Sequence, residues 1–134
     1  MEKNNIISKQ KGELAIRTLA MPADTNPSGD IFGGWLISQM DIAGGITARA
    51  KAHGRVATIA VTGFTFHKPV LVGDVVCCYA DIQKIGRTSI TIGVEAWVLR
   101  QLDSEDLIKV TEGVFTYVAI DDKENPRPII SKKN

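Results

Sequence analysis

Asp41 is the only acidic group in a stretch made largely of Trp, Leu, Ile, Met, Ala and Gly, running from Trp35 to Ala52. Read as a helix, this stretch places Ile37, Ser38, Gly44 and Gly45 beside the carboxylate, three and four residues away on either side. Each glycine costs a helix about 1 kcal/mol relative to alanine, which makes sense where something must approach closely. A carboxylate beside a groove of small residues can take a proton from water or attack a carbonyl carbon. The residues alone leave a plainer alternative, which is the commoner case. Asp41 could be structural, bonded to a backbone group or paired with Arg49 or Arg55.

The segment Asn26-Pro-Ser-Gly-Asp-Ile-Phe-Gly-Gly34 leads into the same helix. Gly33 and Gly34 leave the first helical amides unshielded by side chains. With the positive end of the helix dipole behind them, such donors can polarise a carbonyl oxygen. The alternative is that Asp30 or another local oxygen caps the helix and the glycines serve a tight turn. A nucleotide-phosphate cradle is excluded, because no Gly-Lys-Ser/Thr ending follows and no hydrophobic strand leads directly in.

The elements that must position these groups follow from hydrophobic periodicity. Glu13–Ala20 alternates as a short first strand. Met21–Gly34, dense in Pro, Asp, Asn, Ser and Gly, is a loop. From Trp35 to about Ala52 the apolar positions cover nearly the whole helical circumference, the pattern of a buried helix. His53-Gly54 is its stop, with Gly54 available for the left-handed cap. Val56–Lys68, Asp74–Ile85, Thr88–Arg100 and Leu107–Ile120 are rich in Val, Ile, Thr and aromatics and read as strands. They are joined by Pro69–Gly73, the tight Gly86-Arg87 turn and the polar loop Leu102–Asp106. In the Val56 strand the apolar parity switches at Thr62-Gly63, which predicts a β-bulge.

The tail from Asp121 is charged and is expected to fray or lie on the surface. The domain is therefore drawn over residues 8–123, with a polar tail over 124–134. One helix followed by a strand meander predicts an α+β fold: a curved antiparallel sheet of about five strands wrapped around one long central helix. So small a sheet covers only part of so apolar a helix, which points to a partner subunit.

Composition narrows the class. The 134 residues fit one domain, and 44% hydrophobic with 23% charged residues is an ordinary globular balance. A formal net charge of +1 excludes the strongly basic balance of a nucleic-acid binder. The start lacks the apolar core of a signal peptide, and no apolar run reaches the ~20 residues of a membrane span. Cys77 and Cys78 are adjacent on a predicted strand, so they point to opposite faces, make a poor disulfide and match no zinc spacing. A reduced, cytoplasmic protein without a metal is expected.

Four motifs then carry a resemblance, in order along the chain. They are Arg17-Thr-Leu-Ala-Met-Pro-Ala-Asp24, Asn26-Pro-Ser-Gly-Asp-Ile-Phe-Gly-Gly-Trp-Leu-Ile-Ser-Gln-Met-Asp41, His67-Lys-Pro-Val-Leu-Val-Gly-Asp74 and Gly86-Arg-Thr-Ser89. Together they resemble the acyl-CoA thioesterases of the hotdog superfamily, most of all the YciA-type branch related to the cytosolic acyl-CoA hydrolases. The resemblance runs from about Leu14 to Ile120. It implies a hotdog fold, with Asp41 as general base or nucleophile and Asn26 positioning the substrate or water. It also implies oxyanion donors from the Gly33 and Gly34 backbone, and coenzyme A phosphates held by Arg87, Thr88 and Ser89. No cofactor is implied beyond the coenzyme A of the substrate. A hexamer built from three dimers is implied as the assembly, with no nucleic-acid or membrane partner.

Gly34 and Asp41 are seven residues apart, about 10 Å along a helix, whereas one thioester carbon must lie near both groups. Two helices side by side and antiparallel would bring one subunit's Asp41 to the other's Gly34, so a composite site across a dimer is expected. Two rival activities share the fold. A hydratase or dehydratase would need an acid–histidine pair, and His53 lies too far along the helix from Asp41; His53 and His67 are read as structural. A non-catalytic acyl-CoA sensor would bind without releasing thiol.

Overall fold

Alternation in the central strands sets the core. In Ile90, Ile92, Val94, Ala96 and Val98 every second side chain is buried, and Phe115, Tyr117 and Ala119 repeat the pattern on the neighbouring strand. These inward rows need an apolar cover, and a single helix supplies it. The computed structural model describes residues 10–100 and 106–129. Its elements are β1 (Glu13–Leu19), α1 (Gly33–Ala52), β2 (Val56–Phe66), β3 (Val75–Ile85), β4 (Ser89–Leu99) and β5 (Ile108–Ala119). The five strands form one antiparallel sheet in the order β1-β3-β4-β5-β2, and α1 packs on all five. This is the helix-in-sheet arrangement expected from the sequence. Its only long helix among the described residues is not apolar enough to cross a membrane.

The helix buries Leu36, Met40, Ala43, Gly44, Ala48 and Ala52 against the sheet. Ile42 and Ile46 remain exposed on its other side. Ile59 and Val61 of β2, an edge strand, are exposed as well. The parity switch in β2 is a bulge between Thr62 and Thr65, with Gly63 at φ 57°. A second register shift, between Thr58 and Ala60, has no counterpart in the sequence pattern.

The helix ends at Ala52 as read, while three details differ from the sequence reading. The helix starts at Gly33, two residues before Trp35, so both glycines belong to its first turn. At its other end the left-handed residue is His53 (φ 57°), not Gly54. Gly54 serves a different purpose, since a Cβ there would lie 2.7 Å from the guanidinium of Arg127. The segment after β5, read as fraying or lying on the surface, lies on the surface but is anchored at two points. Arg127 donates to the carbonyl of Ala52 at 3.0 Å and to that of Ile120 at 3.1 Å, closing the helix end. The Ile129 amide donates to the Arg87 carbonyl at 2.9 Å, and the Ile129 side chain packs on the core. Most of the loop read at 102–106 lies outside the described residues, as do 130–134.

The His67–Asp74 motif is explained by one buried carboxylate. Asp74 is 1% exposed and accepts from the Leu71 amide at 2.8 Å, while Arg100 donates to it through Nε and Nη2 and reaches the Pro69 carbonyl. This ties the Pro69–Gly73 turn to the end of β4. Replacing Asp74 by alanine should destabilise the fold by about 2–4 kcal/mol, because a buried paired charge loses its partner. Arg100 is one-third exposed, so water relieves part of that loss. The shift of the urea midpoint measures it, and an unchanged midpoint would refute this account of the motif.

Candidate active site

Asp41 faces the sheet from the third turn of α1, the part of the helix that carries Met40 and Ala43 into the core. Two hydroxyls meet its carboxylate. Thr58 of β2 donates to Oδ1 at 2.8 Å. Tyr117 of β5 shares its proton between Oδ1 and the Asp41 backbone carbonyl, 3.0 Å from each. Thr58 and Tyr117 are themselves register partners across β2 and β5, so the pleat presents both hydroxyls to one carboxylate oxygen. Among the described residues nothing bonds to Oδ2, and Asp41 pairs with neither Arg49 nor Arg55. Arg55 instead reaches Glu124 and the Asp121 carbonyl. The salt-linked structural alternative for Asp41 is therefore not what the fold contains.

Of the two glycines beside Asp41, Gly44 has a more specific role than lining a groove, whereas a Cβ on Gly45 would meet Tyr117 only at an ordinary 3.8 Å. A Cβ on Gly44 would lie 2.3 Å from the Tyr117 hydroxyl oxygen. The close approach signalled by that glycine comes from a tyrosine of the same chain. Burial first, and then the negative Asp41, push the Tyr117 hydroxyl far above its ordinary pKa, so it remains a proton donor.

At the helix start Phe32 occupies the N-cap position and no side chain caps the first turn. Trp35 and Leu36 both bond back to the Phe32 carbonyl, whereas no acceptor among the described residues meets the amides of Gly33 or Gly34. The alternative of a cap from Asp30 is thus not realised. Instead, Asp30 closes the preceding loop. Its carbonyl accepts from the Asn26 amide at 2.7 Å, and the Asn26 Oδ1 accepts from the amides of Ser28 and Asp30. The Asn26 side-chain oxygen is therefore engaged in shaping the loop, and among the described residues no acceptor meets its NH2 group. A cleft of about 320 Å³ opens beside Gly33, lined by Ile31, Leu36, Phe66, His67, Pro69 and Val70 among others.

The Gly86–Ser89 turn is closed by the Gly86 amide donating to the Ser89 carbonyl at 2.7 Å. It lies at the same end of the sheet as the Thr58–Tyr117 row, since Tyr117 pairs with Ile90. Arg87 is exposed there, and Thr88 and Ser89 are partly so. Thus Asp41 lies toward the Arg87 end of the sheet, while Gly34 and Gly33 lie seven and eight residues back along the helix, about 10 and about 12 Å away.

A carboxylate–histidine pair does exist. His67 Nε2 is 3.1 Å from Glu112 Oε2, but Glu112 also binds Lys109 at 2.7 Å, and neither residue meets Asp41. Thr58 and Tyr117 were not singled out from the sequence. Tyr117 carried a usable signal: a tyrosine on the inward parity of a core strand needs a partner for its hydroxyl, and Gly44 marks where the helix is thin. Thr58 carried none, lying next to an irregular register.

A five-stranded antiparallel sheet wrapped around one long helix is the hotdog arrangement, and here that helix carries a carboxylate free of ion pairs and uncapped amides at its start. The chain belongs to the thioesterase superfamily, whose family model matches residues 28–103. It is similar to the acyl-CoA thioester hydrolase YciA of Salmonella typhimurium, 59% identical over 122 residues that cover 89% of this chain and 91% of the relative. Among solved structures it resembles the hexameric thioesterase y2039 from Yersinia pestis, at 59% identity and TM-score 0.86. That match covers 92% of this chain and 100% of the other. It also resembles Cj0915, a hexameric hotdog fold thioesterase of Campylobacter jejuni, at 40% identity and TM-score 0.83, over 89% and 91% of the two chains.

Proposed function

We propose that this chain is an acyl-CoA thioester hydrolase, releasing free coenzyme A and a carboxylic acid, and that it works as an oligomer with shared active sites. The observation that carries this reading is a helix carboxylate free of ion pairs, with one oxygen held by two hydroxyls and the other open. In the reaction the Gly33 and Gly34 amides draw electron density onto the thioester oxygen. Asp41 then either accepts a proton from the attacking water or attacks the carbonyl carbon itself, giving a mixed anhydride that water cleaves. The C–S bond breaks and the coenzyme A thiolate leaves, a good enough leaving group to need no strong general acid. Arg87, with Thr88 and Ser89, holds the phosphates, and the Asn26 NH2 group orients substrate or water.

The shared site follows from the 10 Å between Gly34 and Asp41 on one helix and from the apolar surface left open. Ile42, Ile46, Ile59 and Val61 are exposed along α1 and the free edge of β2, a surface suited to a second copy of the chain. Two antiparallel helices there bring each Asp41 to the partner's glycine amides, giving two equivalent sites per dimer. The hexameric relatives favour three such dimers. The location we assign is the cytoplasm, in keeping with two free, buried cysteines, one of which, Cys78, is pushed up to about 12 by burial.

The test is thiol release from acyl-CoAs running from acetyl to palmitoyl, with crotonyl-CoA assayed in parallel for hydration. Release of free thiol from several chain lengths is expected, without hydration of the crotonyl double bond. Hydration without thiol release would favour the dehydratase activity, and tight binding without turnover would favour a sensor.

A further inference from the structure

We propose that Tyr117 is a positioning residue of the reaction: together with Thr58 it pins Oδ1 of Asp41 and leaves Oδ2 as the single reacting oxygen. The inference rests on Asp41 being the reacting carboxylate, as read above. An aspartate side chain free to rotate about its last bond would present either oxygen. Two donors on the same oxygen, at 2.8 and 3.0 Å, remove that freedom. Fixing a reacting group in this way keeps it close to the attacking geometry, where a displacement of about 1 Å can cost on the order of 100-fold in rate.

The Tyr117 ring is rigidly placed. It is 1% exposed and stacks on Phe115, with centroids 6.3 Å apart and planes within 15°. Its hydroxyl reaches Asp41 only because residue 44, one turn further along the same helix face, lacks a side chain. The helix glycine and the strand tyrosine thus form one device that aims the carboxylate. A hydroxyl present merely to satisfy a buried polar group could rest on the Asp41 backbone carbonyl alone. This one also meets Oδ1.

The experiment compares Tyr117→Phe, Gly44→Ala and the double variant in the assembled enzyme by acyl-CoA thiol release, with thermal midpoints recorded. Tyr117→Phe is expected to lower kcat roughly 10- to 100-fold, with KM within about twofold and the thermal midpoint nearly unchanged. Gly44→Ala displaces the same hydroxyl while every donor remains in the chain. It should lower kcat similarly, and the double variant should be little worse than the poorer single one. Unchanged kcat in Tyr117→Phe overturns the proposal, and so does a loss of kcat that tracks the loss of folded protein. Losses that multiply in full in the double variant overturn it too. If Asp41→Ala keeps full activity, the underlying reading fails, whatever Tyr117 does. If Asp41→Ala is inactive and Tyr117→Phe is fully active, only the positioning role falls.

Discussion

Replacing Asp41 by alanine should reduce acyl-CoA hydrolysis by roughly 10³-fold or more, the upper range for removing a general base or nucleophile. No nearby group can take over. The Thr58 hydroxyl is not acidic, and Tyr117 is held protonated chiefly by burial, which the substitution leaves in place. The fold should survive, because the Tyr117 hydroxyl keeps its bond to the backbone carbonyl of residue 41. Asp41→Asn is the sharper variant, since its side-chain oxygen can still accept from Thr58 and Tyr117 while proton transfer and attack are lost. Thiol release and thermal midpoint, measured together, check both points. Normal turnover in either variant would remove the carboxylate from the mechanism.

The second large effect concerns the helix start. Gly33→Pro should lower kcat about 100-fold, the usual cost of losing one oxyanion donor, while preserving the fold. Proline is favoured at the first helical position. Phe32 before it already has φ −64° and ψ 131°, the conformation proline demands of its predecessor. A Cβ at residue 33 meets only the edge of Phe66, at 3.6 Å. The substitution therefore removes an amide proton and little else. Reassembling Gly33→Pro chains with Asp41→Ala chains after unfolding should restore about a quarter of normal activity. Half of randomly formed dimers are mixed, and one of the two sites in each is then intact. No recovery from any mixture would rule out sites shared between subunits. Full activity in Gly33→Pro would assign the donor role elsewhere, with the Gly34 amide the next candidate.

The sheet and helix were legible because their period signals are strong: alternation in β3 to β5 and an apolar circumference from Trp35 onward. The bulge at Thr62–Gly63 was legible for the same reason, as a break in parity. Helix ends were less so. Gly33 and Gly34 disfavour helix locally, and only the tertiary fixing of Ile31 and Phe32, through Val70 and Asp24, starts the helix there. His53 takes the left-handed position while Gly54 makes room for Arg127, a contact between residues far apart in sequence. Within the site, Asp41 and the two glycines stood out as oddities in an apolar helix. The partners of Asp41 did not, because they depend on strand register, and register across β2 and β5 is set by the sheet as a whole. Asn26 was singled out, but that its oxygen is committed to the amides of Ser28 and Asp30 could be read only from the loop's closed geometry.

The chain after β5 behaves as a strut. Arg127 grips the final turn of α1 and, two residues later, Ile129 grips the Arg87 turn. The helix that bears the carboxylate and the hairpin tip assigned to the phosphates are thereby yoked to one short, proline-flanked span. With Pro126 and Pro128 on either side of Arg127, the span has little freedom of its own, so the final turn of α1 and the Arg87 turn are held at a fixed spacing.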